Sequence, residues 1–429
     1  MPSRFRIICT GDVHLGRRPA RAPRRPNELS VQHVWAQCIE EALNRSVDAF
    51  VLTGDIVDNE NKMYEAFGPL ERGIRRLLEA GINVVAVAGN HDYDTFPRLV
   101  RSINDDRFHL LGQGGNWEAV ILENSDGARV RFIGWSFPSR YVPRSPLEDG
   151  HLEATSMPTV GVLHCDAGQA EGRYAPVRRE ALARAPVDAW LLGHIHAPNE
   201  HRQGGQLQLY TGSLQPLDPG ETGTHGAWLV NVGPSDVNEE RIPLATLRYD
   251  RASVDVSGFD TADDVEHAVI ETIQDGMAHA ARTWPNVRHV VYRLVYDGRT
   301  ALHTEIERQA KDVVADLAPS AGEVHGSIYD YEIQTRPDYD LGELARGNDP
   351  VGVLAELLLD LEAGRDTDAV RNVMQQAKKN VQPLYRSTRY DPLQRDPERG
   401  NAPSSGEIRQ WAIRQGYRLL DAIHTPADR

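Results

Sequence analysis

Short apolar runs alternate with stretches in which apolar residues recur every three or four positions, and this alternation organises the first half of the chain. Residues 7–10, 49–53, 83–88, 130–135, 159–163 and 189–192 are apolar runs too short for helices and bounded by Gly, Asp or Pro, which predicts buried strands. Helical periodicity fills 31–45 and 64–80, so this half reads as α/β, with further strands expected at 206–211 and 227–232. The pattern changes near Leu247. Strands are predicted at 253–256, 287–296 and 326–335 and helices over 262–281 and 302–317, a β-α-β-α-β unit of domain size. Two helices are expected within 349–380, a linker rich in Pro, Arg, Asp and Ser over 381–408, and an amphipathic helix over 406–423. The expected divisions are therefore 1–245, 246–340, 341–380 and 381–429. The last helix suits either docking on its own domain or a partner.

Composition narrows the class. Hydrophobic content of 40% and charged content of 25% in 429 residues describe a globular protein too long for one core. No apolar run approaches the ~18–20 residues of a membrane span, so no membrane association is expected. No leader is expected either, because Arg4 and Arg6 flank a strand-like start at 5–9 that runs straight into the first motif. Cys9, Cys38 and Cys165 are scattered and form no CxxC pair, which fits a reducing cytoplasm and excludes zinc ribbons. A net charge of −15 argues against a phosphate-rich partner unless bound cations restore positive charge locally. Arg17, Arg18, Arg21, Arg24 and Arg25 fall in one acid-free stretch, which is either a solvated Pro-rich loop or a phosphate-steering arm.

Candidate chemistry lies in five segments, each directly after a predicted strand: Gly11-Asp12-Val13-His14, Gly54-Asp55-Ile56-Val57-Asp58, Gly89-Asn90-His91-Asp92, Val162-Leu163-His164 and Gly193-His194-Ile195-His196. Loops at the C-terminal ends of strands in an open α/β sheet can converge on one point. Asp, His and Asn are borderline-to-hard donors suited to Mn²⁺, Fe²⁺ or Zn²⁺. In an extended chain Asp12 and His14 would project to the same side, as would His194 and His196, with Asp55 between the two pairs. A carboxylate with two oxygens is the natural bridge between two cations ~3.5–4 Å apart. Any one fragment is more often a turn or a packed side chain; five in order at strand ends are not explained by packing.

The ordered set resembles the calcineurin-like metallophosphoesterase superfamily over residues 5–235. The resemblance implies an α/β (α+β) fold: a four-layer β-sandwich flanked by helices, here with a small β-α-β-α-β capping domain and C-terminal helices. It implies that Asp12, His14, Asp55 and His196 hold one metal, and that Asp55 (bridging), Asn90, His164 and His194 hold a second. His91 matches the family residue that contacts the phosphate and assists the leaving group. Two divalent ions are implied, Mn²⁺ first, with Fe²⁺, Zn²⁺ or Mg²⁺ as alternatives. Such a pair neutralises growing phosphate charge and activates a water for attack on phosphorus. Asp58 reads as a solvated acid or an orienter of its neighbours, and Asp92 as an orienter of His91 or a helix cap.

Asp12-Val13-His14-Leu15-Gly16, Tyr210-Thr211-Gly212-Ser213-Leu214 and Glu221-Thr222-Gly223 are similar to segments of the SbcD/YhaO-like DNA repair exonuclease branch. Where some members of that branch carry a histidine three residues beyond the bridging aspartate, this chain has Asp58. The branch implies a metal-dependent DNA nuclease whose cap follows the catalytic domain. It also implies an SMC-like coiled-coil ATPase partner bound by helices after the cap, and allows a homodimer. The other readings are a phosphoesterase for a cyclic nucleotide or nucleotide, and a non-catalytic DNA-end-binding scaffold.

Overall fold

The computed structural model describes residues 3–23, 27–58, 63–148, 152–317, 319–385 and 403–424. Along its first part run β1 (Phe5–Thr10), β2 (Ala49–Leu52), β3 (Asn83–Ala86), β4 (Phe108–Leu110), β5 (Glu118–Glu123), β6 (Arg129–Trp135) and β7 (Thr159–His164). A short pair, β8 (Asp166–Ala167) and β9 (Pro176–Val177), precedes β10 (Ala189–Gly193), β11 (Asn199–Gln203), β12 (Gln206–Tyr210), β13 (Gly226–Val232) and β14 (Val237–Pro243). They build two six-stranded sheets, ordered β14-β13-β1-β2-β3-β4 and β11-β12-β10-β7-β6-β5. Strands β1 to β4 are parallel in the first, as are β6, β7, β10 and β12 in the second; antiparallel strands close both edges of the second sheet and the β14 edge of the first.

The pleat assigns each residue to a layer. On β1, Ile7 and Cys9 enter a core shared with Phe132, Val160 and Leu191 of the other sheet. Ile8, between them, faces the opposite way into a cluster with Val34, Trp35 and Ile39 of α1 (Val31–Asn44) and Leu70 and Ile74 of α2 (Met63–Glu79). The short α3 (Thr95–Leu99) follows β3. Outside the second sheet, Trp190 and Leu192 pack with Leu182 of α4 (Arg179–Arg184). Central strands are thus buried on both faces, which is why they read as continuous apolar runs. Edge strands escape that signature: β11 is Asn-Glu-His-Arg-Gln and exposed along its whole length.

Beyond the second sheet come β15 (Leu247–Asp255), α5 (Ala262–Thr283), β16 (His289–Asp297), β17 (Arg299–Thr300), α6 (His303–Asp316), β18 (Ser320–Ala321), β19 (Val324–Ile333) and β20 (Arg336–Pro337). They include a sheet ordered β15-β16-β19-β18 and the pair β17-β20. The predicted β-α-β-α-β pattern is present, with its first strand starting six residues earlier than the apolar run suggested. The helices α7 (Leu341–Leu344), α8 (Pro350–Glu362), α9 (Asp368–Tyr385) and α10 (Ser405–His424) follow. The linker expected over 381–408 is therefore helical at both ends. At its start, Val381 and Leu384 continue the apolar spacing set by Val370, Met374 and Ala377, so α9 runs on to Tyr385. At its end, α10 begins at Ser405. Residues 386–402 lie outside the described ones.

The chain divides into two compact units, one of residues 1–251, 273–293 and 317–329, the other of 252–272, 294–316 and 330–429. Within the second, Ile413, Tyr417 and Leu420 of α10 join Ala355, Leu358 and Leu361 of α8 and Val370 of α9 in one apolar cluster. The terminal helix therefore docks on its own unit. Arg299 reinforces the dock, donating to the Tyr417 hydroxyl at 2.8 Å and to both Glu362 carboxylate oxygens at 2.9 and 2.8 Å. Cys9, Cys38 and Cys165 are buried and unpaired. Among the described residues, no helix is long and apolar enough to cross a membrane.

Phe132 is fully buried between the two sheets. Phe132→Ala is expected to destabilise the protein by about 3–5 kcal/mol in urea unfolding, the usual range for emptying so large a core position. A loss below about 1 kcal/mol would mean that the inter-sheet core is not formed there.

Candidate metal centre

The five motif loops leave β1, β2, β3, β7 and β10 at their C-terminal ends, and backbone hydrogen bonds lash the first two together. Asp12 N–H donates to the Gly54 carbonyl and His14 N–H to the Asp55 carbonyl, both at 3.0 Å. The extended geometry expected for Asp12 and His14 is not what brings them together. Asp12, His14, Asp55 and His194 all have positive-φ backbones, with φ of 46°, 48°, 51° and 99°. Such conformations cost on the order of 1–3 kcal/mol each and persist only where the surroundings impose them. Gly89 is required by close approach: a Cβ there would lie 2.2 Å from Asp55 Oδ1.

These loops converge side chains whose electron pairs face one another. His14 Nε2 and His196 Nε2 stand 3.3 Å apart, and buried His14 Nδ1 has no hydrogen-bond partner among the described residues. His164 Nδ1 donates to the Thr53 carbonyl at 3.0 Å, which turns Nε2 toward Asn90 Oδ1 at 3.0 Å and Asp55 Oδ2 at 3.3 Å. Asn90 Oδ1 also lies 3.2 Å from His194 Nδ1. Two groups, Asp12 with His14 and His196, and Asp12 with Asp55 and His164, each bring one donor atom per residue within 4.8 Å of the others. Extra protons on the rings or cations among them must reconcile so many lone pairs. The nitrogen and oxygen donor set fits borderline divalent ions.

The electrostatics agree with the geometry. Burial pulls the His164 imidazole down, but Asp55 and Asp12 outweigh it and carry the ring up to about 9. His196 rises to about 9 against its own burial, through Glu221 and Asp12. Burial and the charge of His164 push His194 the other way, to about 3. The buried carboxylates thus create a demand for positive charge in the pocket. His91 stands at the rim, its backbone N–H donating to Asp55 Oδ1 at 2.8 Å and its ring edge-on to His14 with centroids 5.2 Å apart.

With that geometry in view, residues 5–198 match the calcineurin-like phosphoesterase family, and residues 249–336 match the middle domain of metallophosphoesterase YhaO. Residues 5–198 form a calcineurin-like metallophosphoesterase domain. It is 28% identical to metallophosphoesterase YhaO of Bacillus subtilis over 247 residues, 53% of this chain and 55% of that protein. It is 27% identical to the DNA double-strand break repair protein Mre11 of Haloferax volcanii over 285 residues, 62% of this chain and 58% of that one. The Mre11 of Halobacterium salinarum matches at 25% over 388 residues, 85% of this chain and 88% of its own length. The first two alignments thus span little more than half of those relatives. The two family matches in sequence fit the SbcD/YhaO-like branch.

The metallophosphoesterase holds further groups that its motifs do not announce. Asp92 neither orients His91 nor caps a helix through its side chain: Oδ2 accepts from Ile56 N–H at 2.7 Å and Oδ1 from Gly89 N–H at 2.8 Å. It pins the Asp55 loop to the Gly89 loop, and burial together with Asp55 raises its carboxyl to about 7. Glu221 accepts from His196 Nδ1 at 2.8 Å and from Ser213 Oγ at 2.7 Å, fixing the ring so that Nε2 faces the centre. In sequence only the Glu-Thr-Gly similarity points toward it; its role comes from the fold. Asp58 is 5% exposed, so the solvated reading is corrected: the strand-to-loop turn carries it inward.

The basic loop is partly tied down. Arg17 pairs with Asp218 at 2.6 Å, Ala20 N–H donates to the Leu217 carbonyl at 2.7 Å, and the Tyr249 hydroxyl donates to the Ala20 carbonyl. Arg18 and Arg21 are exposed, while Arg24 and Arg25 lie outside the described residues.

Asp92→Asn keeps the size of the side chain but places an NH₂ against a backbone donor. The variant is expected to lose about 1–3 kcal/mol of stability in denaturant unfolding. A change within about 0.5 kcal/mol would show that the two loops do not depend on this carboxylate.

Proposed function

We propose that this metallophosphoesterase is a Mn²⁺-dependent DNA nuclease that hydrolyses phosphodiester bonds. One observation carries the reading: side chains with nitrogen and oxygen donors from five loops meet at the strand ends, with His91 beside them. In the proposed assignment Asp12, His14, Asp55 and His196 hold one cation, and Asp55, Asn90, His164 and His194 the other. When bound, two such ions neutralise charge on phosphate oxygens and lower the pKa of a water. Thr53 and Glu221 fix the rings of His164 and His196 so that one nitrogen of each faces the ligand position. His91, at the rim, is the proposed donor of a proton to the departing oxygen. Arg18 and Arg21 are the proposed phosphate contacts of the loop after the first motif.

The Mre11 relatives, DNA double-strand break repair proteins, support DNA as the substrate and a role in repair. An SMC-like ATPase partner belongs to the same proposal, as does a capping role for the domain at 246–340. Because α10 contributes to the apolar cluster of its own unit, only residues outside that cluster, such as Leu419 and Ile423, are offered as partner contacts.

Purified full-length protein incubated with Mn²⁺ should cleave linear DNA as well as bis-p-nitrophenyl phosphate. Turnover of the small ester with no DNA cleavage would replace this reading with a small-substrate phosphoesterase. His91→Asn should lower turnover about 10²–10⁴-fold, the scale of general acid catalysis, with both ions still bound by elemental analysis. Loss of the metals in that variant, or activity within about threefold of wild type, would remove His91 from the proposed role.

A further inference from the structure

A run of rings leads out of the metal centre into solvent. It starts at buried Phe137, whose ring is 5.6 Å from that of His164, and continues to His194 at 5.3 Å. Tyr174 lies 5.0 Å beyond His194, tilted by 43°, and Tyr141 lies 5.8 Å beyond Tyr174, tilted by 39°. Arg140 places its guanidinium 5.8 Å from the Tyr141 ring. The two tyrosines come from different loops held in register. Val142 N–H donates to the Arg173 carbonyl and Ala175 N–H to the Val142 carbonyl, both at 2.8 Å. Ala175 takes a left-handed φ of 50° to make that junction.

Tyr174 is partly buried against the core cluster behind it, which accounts for its place. Tyr141 has no such account. Half of its surface is exposed, and Arg140 and Arg173 beside the pair are exposed as well. A single exposed aromatic is ordinary. An exposed aromatic that ends a ladder running out past the His164 and His194 imidazoles, flanked by guanidinium groups, is a surface suited to nucleobases and their phosphates.

Resting on the nuclease reading above, we infer that Tyr141 and Tyr174 form a stacking platform for an unpaired nucleobase next to the phosphate being cleaved. Bases inside a duplex already stack on their neighbours, so the platform selects a single-stranded or frayed segment. Sequence preference is not expected, because every base offers a π face. Arg140 and Arg173 supply the charge that tracks the strand.

The test compares binding of a short oligothymidine and of an abasic strand of equal length by fluorescence anisotropy, with Ca²⁺ replacing Mn²⁺. Wild type should prefer the base-bearing strand by about tenfold or more, since one stacked base is worth about five- to 150-fold. Tyr141→Ala should bring the two strands near parity, and Tyr141→Trp should restore the preference. Equal binding by wild type, or a preference that survives Tyr141→Ala, overturns the platform even if Mn²⁺-dependent cleavage of oligothymidine stands. Failure of the nuclease reading looks different: wild type would turn over bis-p-nitrophenyl phosphate and cleave neither strand. Tyr141 is exposed enough for its substitution to spare folding, and a thermal melt of each variant checks this.

Discussion

The central constraint is electrostatic: donor atoms that would repel one another without protons or cations between them are held together inside a protein. Asp55 Oδ2 and Asn90 Oδ1 both face His164 Nε2, and His14 and His196 meet nitrogen to nitrogen. In water these groups would turn away. Here they cannot, because Thr53 and Glu221 grip the far sides of two rings while the loop backbones are bound to one another. The folded chain thus gives up stability to keep a site whose favourable partner is positive charge.

The scaffold makes that strain tolerable. Parallel strands end together at one edge of each sheet, so loops distant in sequence emerge side by side. Every strand that launches a motif loop is buried on both faces, and the inter-sheet core anchors it. Asp92 then couples two of the loops directly, which lets Gly89 approach Asp55 more closely than any larger residue could.

How much of this is legible in sequence depends on whether a feature repeats. The buried strands declare themselves as apolar runs, and the candidate ligands as short motifs at their ends. The polar edge strand β11 leaves no such mark, and the short β4 is only partly buried. Strand alternation predicts that Asp12 and His14 converge through an extended chain. They converge instead through left-handed backbones, a property of the loop that spacing alone does not encode. Glu221 reaches His196 and Asp92 reaches Ile56 only through the fold, so no local pattern could assign their roles.

The acidic balance of the whole chain also takes on a different meaning once the site is built. A net charge of −15 does not describe the charge local to the site. Asp12, Asp55 and Asp92 are buried, and their field is directed at the histidines and the space between them. Arg17 pairs with Asp218, and Arg18, Arg21, Arg140 and Arg173 lie at exposed positions. Carboxylates that would repel DNA from the surface instead create the need for cations at the centre. Part of what makes the chain acidic is therefore what would draw a phosphate to it.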